Sequence, residues 1–391
     1  MSHFNTPRSH IAVLGGGILG VSTAVHALRE GASVVLVTAE GLASGASGRS
    51  LSWLNSAGVR SDAYHALRVT GIDRYRTLFA RDPESDWLRF DGGVYWMRNE
   101  AAERLQQRHE YEHGHAYESH LVQAADLPSE VGTVRKDAVS GAAIVNPGEG
   151  WVSLPHLIDF LMEEFDRLGG TLVTNAGIST VQIEAGRATG IITADGTVHP
   201  AEAVLVACGA WTPQVMERLG ITIPDGSPLS MLVVTEPAEH GLKSVLNTPR
   251  AAVRPNPEST LAIDHDWYEE QIVEDEHGNA TIDESAVHEL VQEAARLIDG
   301  TPELVPASWK LGRKPIPGDG EPVLGEVAKL PGCYVAFSHS GATVGLIAGE
   351  LLASELVSGK PHPMLAAFTP DRFSSDDATP EASPSAMVAP L

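Results

Sequence analysis

Apolar positions along the chain fall into two periodicities that recur in blocks. Short apolar runs at 11–14, 33–38, 204–207 and 334–337 read as strands, and the second is placed parallel to the first. Between and around them, apolar residues repeat at helical spacing. Ala24 and Leu28 continue a helix that Gly31 ends, and Leu157, Phe160, Leu161 and Phe165 mark a helix over 156–168 stopped by Gly169-Gly170. Further helices are predicted over 62–81, over 285–299 and over 342–356, and the charged stretch 100–136 also reads as helical. Asp91-Gly92-Gly93 signals a turn into 94–97, a strand of a different sheet. Short strands at 171–174, 178–183, 189–193 and 204–207 are predicted to return to the first sheet, and 228–310 reads as antiparallel strands around one amphipathic helix. The tail from 374 to 391 is rich in Ser, Pro, Ala and Asp and is predicted disordered. No internal repeat is evident.

With 391 residues and 43% hydrophobic content, the chain can bury one large or two medium cores, so two domains are expected. The 27 basic residues against 51 acidic ones leave a formal charge of −24, which repels nucleic acid and anionic membrane surfaces and favours small-molecule chemistry. Cys208 and Cys333 lie in apolar runs and read as buried thiols in a reducing cytoplasm. Residues 1–10 carry no apolar signal core, and no apolar run approaches the ~18 residues of a membrane span. A cytoplasmic protein without membrane or nucleic-acid partners is expected, and homo-oligomers stay open.

Chemistry enters at Ile11-Ala-Val-Leu-Gly-Gly-Gly-Ile-Leu-Gly20, a strand running into G-x-G-x-x-G at a helix start. Gly15 permits the tight turn, Gly17 lets backbone approach phosphate oxygens, and Gly20 lets the helix lie close on the strand. The helix N-terminus offers free N–H groups and a positive dipole end to a dinucleotide pyrophosphate. The acidic residue that would bind a ribose hydroxyl is absent at Thr38. Either Glu40 makes that contact from a longer turn, or Thr38 makes a neutral one. The Gly/Ser-rich stretch 41–50 that follows is a loop suited to close packing on a ligand.

Several separated segments then agree with one family. Gly15–Gly20, Ser44-Gly-Ala-Ser-Gly-Arg-Ser50 with Trp53-Leu-Asn55, Gly92-Gly93, Val152-Ser-Leu-Pro155, Ala207-Cys-Gly-Ala-Trp-Thr-Pro213, Lys314-Pro-Ile-Pro-Gly-Asp-Gly320 and Ser338-His-Ser-Gly-Ala-Thr343 occur in its order. On these the chain resembles FAD-dependent oxidoreductases of the D-amino-acid oxidase (glycine/sarcosine oxidase) superfamily. The resemblance implies an α/β fold, in which a Rossmann-like FAD-binding domain (1–85, 146–225 and 316–373) is interleaved with an α+β substrate domain (86–145 and 226–315) built on a mostly antiparallel sheet. It implies that Gly15, Gly17, Ile18, Leu19 and Gly20 cradle the pyrophosphate, with Thr38 or Glu40 at the ribose. Ser44, Ser47, Gly48, Arg49 and Ser50 would line the flavin and its ribityl chain, the Ile178 backbone would meet adenine, and Gly209 and Trp211 would complete the cofactor wall. Ser338, His339, Ser340, Gly341, Ala342 and Thr343 would sit at the flavin, where the helix start can point positive charge at its N1/O2 edge. His339 would add to that charge if protonated.

The same resemblance implies oxidation of a C–N bond of an amine or amino acid, by hydride transfer to flavin N5 and hydrolysis of the imine. Dioxygen would reoxidise the cofactor to give hydrogen peroxide. The alternatives are a dehydrogenase using another electron acceptor, or a flavin-binding subunit of a heteromeric oxidoreductase. Such chemistry needs orientation, desolvation and a neutral amine rather than a nucleophilic side chain. A substrate carboxylate would need a fixed cation. Relatives often carry arginine where this chain has Lys314, so either Lys314 holds the carboxylate with looser geometry, or Arg313 or Arg254 does, or the substrate is not an amino acid. Lys314 has a second candidate role, in stabilising superoxide during reoxidation. Tyr95, Trp96, Trp53, Trp267 and Tyr268 are candidates for an aromatic wall over the flavin, although aromatic residues in strands more often belong to a core. Asp264-His-Asp-Trp267 lacks a second ligand group at a metal spacing, so no metal site is assigned. Leu311-Gly312 and Ser50-Leu51 stand where relatives attach the ring covalently, which points to non-covalent FAD.

Overall fold

The computed structural model describes residues 9–98, 101–127, 131–139 and 141–374. The tail predicted disordered lies, apart from its first residue, outside the described residues.

His10–Leu14 and Ser33–Val37 pair in parallel, and the helix Ile18–Arg29 crosses between them. This unit is the centre of a six-stranded sheet ordered Val323–Glu326, Cys333–Phe337, Ala203–Val206, His10–Leu14, Ser33–Val37, Thr171–Val173. All its pairings are parallel except the edge strand Val323–Glu326. The strands come from the beginning, middle and end of the chain, so the sheet closes only when distant segments return to it. Leu157, Ile158, Leu161 and Phe165 of the helix Leu154–Arg167 face the same core as the first helix. The helix Gly341–Ser358 lies against the first helix and against Asp62–Phe79. Contrary to the expectation of no long apolar run, Gly341–Ser358 is long and apolar enough to cross a membrane by length and composition, but 78% of it is buried in protein.

The second sheet has eight strands, ordered Pro306–Arg313, Leu229–Thr235, Thr260–Asp264, Ala252–Asn256, Val245–Asn247, Gly93–Tyr95, Ala142–Asn146, His120–Gln123. One pair, Val245–Asn247 with Gly93–Tyr95, is parallel and the rest antiparallel. Met231, Val233, Val253, Leu261 and Ile263 pack on one face against Val287, Leu290, Val291 and Ala294 of the helix Glu284–Ala295. Because side chains alternate along a strand, Leu232, Arg254, Ala262, Lys310 and Gly312 occupy the opposite face.

Two expectations need correction. Residues 178–193 do not return to the first sheet: Thr180–Glu184, Arg187–Ile192 and Val198–Pro200 form a three-stranded antiparallel sheet of their own. The stretch 100–136 is helical only over Ala102–Gly114, and His120–Gln123 instead pairs with Ala142–Asn146 as the edge of the large sheet.

Candidate functional site

The glycine turn has the geometry its residues require. Gly15 adopts φ +125°, and a Cβ there would lie 2.1 Å from the Ala207 carbonyl oxygen. A Cβ at Gly20 would lie 2.0 Å from the Gly15 carbonyl oxygen, so helix and strand touch backbone to backbone. At Gly17 a Cβ would meet only Ser47 Oγ, at 3.2 Å. The Ile18 N–H donates to Ser47 Oγ (3.0 Å), which brings the loop of Ser44, Gly48, Arg49 and Ser50 onto the turn. The first helix carries no acidic residue in its first turn and no capping side chain from Gly17, so its positive end is uncompensated. A pyrophosphate fits this cradle of small residues, hydroxyls and helix N–H groups.

Around the turn, Thr38 is buried against Gly16 while Glu40 is exposed at the end of the second strand. The Ala176 and Gly177 N–H groups donate to the Thr38 and Ala39 carbonyls, which places Ile178, 72% exposed, at the same end of the sheet. Gly209 and Trp211 form a short turn next to Gly15, and Trp211 is 60% exposed. Arg49 is half-buried, donates from Nη1 to the Ser44 carbonyl (3.2 Å), and leaves its buried Nε without a partner. Its guanidinium lies against Gly312 of the second sheet, where a Cβ would be 2.4 Å away. Ser50 Oγ accepts from the Ser52 N–H (3.1 Å).

The closing loop approaches from the other side. Ser338 is buried, and its Oγ accepts from the Ser340 N–H (3.2 Å), shaping the entry to the helix that begins at Gly341. The Ala342 carbonyl accepts from Tyr75 Oη (2.6 Å), and Thr343 Oγ1 donates to the Trp53 carbonyl (3.1 Å). Arg68, 2% exposed, donates to the Asn55 carbonyl (2.8 Å), to Asn55 Oδ1 (3.0 Å) and to Ser340 Oγ. His339 is exposed at the entry to that helix. Desolvation, with Lys314, Arg68 and Arg60 adding like charge, lowers its pKa to about 3. This shift favours the neutral imidazole, so positive charge at this edge comes from the helix start rather than from His339.

The candidate substrate residues separate by their partners. Lys314 Nζ lies 3.0 Å from Glu269 Oε1 and 3.6 Å from Asp264 Oδ2. Burial opposes its charge, but Asp264, Glu269 and Asp266 outweigh that and hold the ammonium above its ordinary range. Arg313 pairs with Glu274 and donates to the Ser227 carbonyl. Neither side chain keeps an uncompensated charge for a carboxylate. Arg254, 3% exposed, sends Nε to the Leu51 carbonyl and Nη1 to the Pro255 carbonyl and Asn256 Oδ1, so it ties the large sheet to the cofactor loop. Desolvation lowers its pKa to about 9. Tyr95 does not form an aromatic wall. It is buried beside Leu105 of the helix Ala102–Gly114, with Arg108 3.7 Å from its ring centroid. The Trp53 indole nitrogen is buried without a partner, close to Gly93 and Glu149.

Sequence reasoning passed over Arg60, Arg68 and the Tyr117–Glu149 pair. Arg60 and Arg68 sit 5.6 and 5.3 Å from the centroid of one ring, Tyr64. Tyr117 Oη donates to Glu149 Oε1 (2.6 Å) and accepts from the Ser56 N–H (2.8 Å). No motif marks these residues, because an arginine just before a helix and another along it look like ordinary surface charge until the fold covers them.

Comparison with known proteins agrees with this geometry. A family model described as FAD dependent oxidoreductase matches residues 10–355. An uncharacterised oxidoreductase of Bacillus subtilis is 26% identical over 389 aligned positions, covering 90% of this chain and 95% of that protein. A glycine oxidase of Pseudomonas putida is 25% identical over 394 positions, covering 92% and 98%. Among solved structures, an L-amino acid deaminase from Proteus myxofaciens superposes with a TM-score of 0.79 at 16% identity, covering 96% of this chain and 95% of that one.

Proposed function

Since this chain belongs to the FAD dependent oxidoreductase family, we propose that it oxidises the C–N bond of a small amine or amino acid and passes the electrons to dioxygen, releasing hydrogen peroxide. Bound FAD, held non-covalently, supplies the two-electron acceptor. The turn Gly15–Gly20 with Ser47 would hold its pyrophosphate. The Ser338–Thr343 loop would meet its ring through backbone N–H groups at the start of the closing helix.

The observation that carries this reading is the cradle of Gly15, Gly17, Gly20 and Ser47 at a helix N-terminus that no acidic residue offsets, in a chain of the FAD dependent oxidoreductase family. The cations Lys314, Arg68 and Arg60, which lower the pKa of His339, would also lower that of a substrate ammonium bound beside it. The amine would then keep its lone pair, which is what C–N oxidation requires. No nucleophile is needed, and the chain's part is to orient the substrate, exclude water and keep the nitrogen unprotonated.

The test is anaerobic loss of the visible oxidised-flavin absorbance across a library of amines and amino acids, followed by readmission of air. The reading expects a yellow protein that bleaches with at least one amine and recovers colour in air within its turnover time. A protein that takes up no flavin, or is bleached by none of them, would overturn it. Bleaching with slow recovery in air would transfer the function to a dehydrogenase.

A further inference from the structure

We propose that Arg60, rather than Lys314, holds the carboxylate of the substrate. This rests on the reading above that the substrate is an amino acid, and it names the contact that selects one.

Three cations stand near His339: Lys314, Arg68, whose guanidinium reaches the neighbouring Ser340, and Arg60, which shares the Tyr64 ring with Arg68. Their commitments differ. Lys314 lies between Glu269 and Asp264, so a carboxylate arriving there would meet one cation and two anions. Arg68 is buried and saturated with neutral acceptors, the Asn55 carbonyl, Asn55 Oδ1 and Ser340 Oγ. Among the described residues Arg60 has neither kind of partner: no ion pair reaches it, and its buried Nε has no acceptor. Its guanidinium contacts the face of Tyr64, which leaves the rim of N–H groups for a ligand. Arg254, the other buried guanidinium, is tied to Leu51 and Asn256 and is not among the charges acting on His339.

The surroundings favour an anion. Arg68 shares the Tyr64 ring with Arg60, so two like charges meet there. The nearby Arg108 is already balanced by Glu112 at 2.8 Å. Desolvation first, and Arg68 next, push Arg60 down to about 9, so the guanidinium is charged at neutral pH but held at an energetic disadvantage that a bound carboxylate would relieve. The main chain is fixed, because the Arg60 N–H donates to Tyr111 Oη (3.2 Å) and Tyr111 Oη donates back to the Arg60 carbonyl (2.7 Å). A guanidinium on an anchored loop, with no counter-ion among the described residues, can take a carboxylate in two-point contact through its Nη groups.

The test compares the holoenzyme with Arg60→Gln, Arg60→Lys and Lys314→Met. The probes are propionate and its neutral isostere propionamide, titrated by the change each makes in the visible flavin spectrum. Arg60→Gln should weaken propionate by about thirtyfold, the loss of a charge-assisted contact, and leave propionamide within about threefold. Arg60→Lys should recover part of the loss, and Lys314→Met should shift propionate by less than about threefold. For amino-acid turnover, KM should rise in Arg60→Gln well before kcat falls. Undiminished propionate binding in Arg60→Gln, its loss in Lys314→Met instead, or no propionate binding by the wild type would each overturn the assignment. Failure of every amine to bleach the flavin would sink the proposed function while leaving these probe titrations interpretable.

Discussion

Directly behind Trp53 sits a carboxyl group with no accessible surface and one unpaired oxygen, Glu149. Burial pushes its pKa up to about 8; the hydrogen bond from Tyr117 opposes the rise and the nearby Glu112 adds to it. Glu112 itself stays ionised: burial works against its charge, but Arg108, Asn146 and the Gly58 N–H prevail. The sign of the pH effect follows. A carboxyl whose folded pKa lies above its unfolded value of about 4.5 stabilises the fold fully below that value, and the contribution is lost as pH rises through about 8. Glu149→Gln keeps the acceptor for Tyr117 and removes the titration. Between pH 5 and 9 its melting temperature should therefore fall less than that of the wild type, a difference on the order of a few kcal/mol at the alkaline end. Parallel melting curves would show that Glu149 is not the buried acid described. Residues differ in how far sequence discloses them. Gly15, Gly20 and Ser338 answer to neighbours a few positions away or to backbone geometry, and were legible. The fate of Lys314 was not, because it depends on Glu269 and Asp264, brought to it by a sheet and a turn some fifty residues distant in the chain.

Three helices approach one another through glycines. A Cβ on Gly349 would lie 2.1 Å from Ser22 Oγ, one on Gly345 2.7 Å from an Ile18 side-chain carbon, and one on Gly71 2.2 Å from the Thr343 carbonyl oxygen. The Gly71 contact matters for function, since Thr343 belongs to the closing loop and Arg68, one turn earlier on the same helix, holds Ser340. Gly71→Val should push Asp62–Phe79 away from Gly341–Ser358, destabilise the protein by about 1–3 kcal/mol and weaken FAD retention together. Gly31→Ala, at a position with open space around it, is the control: its φ of +88° strains the turn, but far from the cofactor loop, so stability should drop without selective loss of FAD. Thermal melts with and without added FAD separate the two, and equal FAD dependence in both variants would disconnect helix packing from the site. Long helices with strong periodicity and the apolar strands were readable from the sequence. His120–Gln123 was not, because a short, largely exposed edge strand carries little alternation and acquires its identity from pairing with Ala142–Asn146.

On the scale of the whole molecule, the large sheet and the nucleotide sheet meet across the cofactor loop, where two arginines bind them. Arg254 donates to the Leu51 carbonyl, and the Arg49 guanidinium rests on Gly312. A chain with a formal charge of −24 has set two of its 27 basic residues at this seam, the buried Arg254 joining it by a hydrogen bond and the half-buried Arg49 by packing. The interleaving itself was foreseeable only through resemblance, since no local pattern says that Val323–Glu326 and Cys333–Phe337 belong beside a strand three hundred residues earlier. The seam yields a prediction that does not depend on substrate. Arg254→Met fills similar space and relieves the desolvation of a buried cation, but leaves the Leu51 carbonyl without its donor, at a cost of about 1–3 kcal/mol localised next to Ser50. Global stability should change little because the two effects oppose, whereas the cofactor loop should loosen. FAD should then dissociate about tenfold more readily on dialysis, measured as the flavin-to-protein absorbance ratio against time. Retention equal to the wild type, at unchanged melting temperature, would mean that the loop is held by the glycine turn and Ser47 alone, and that the large sheet merely roofs a site it does not help to assemble.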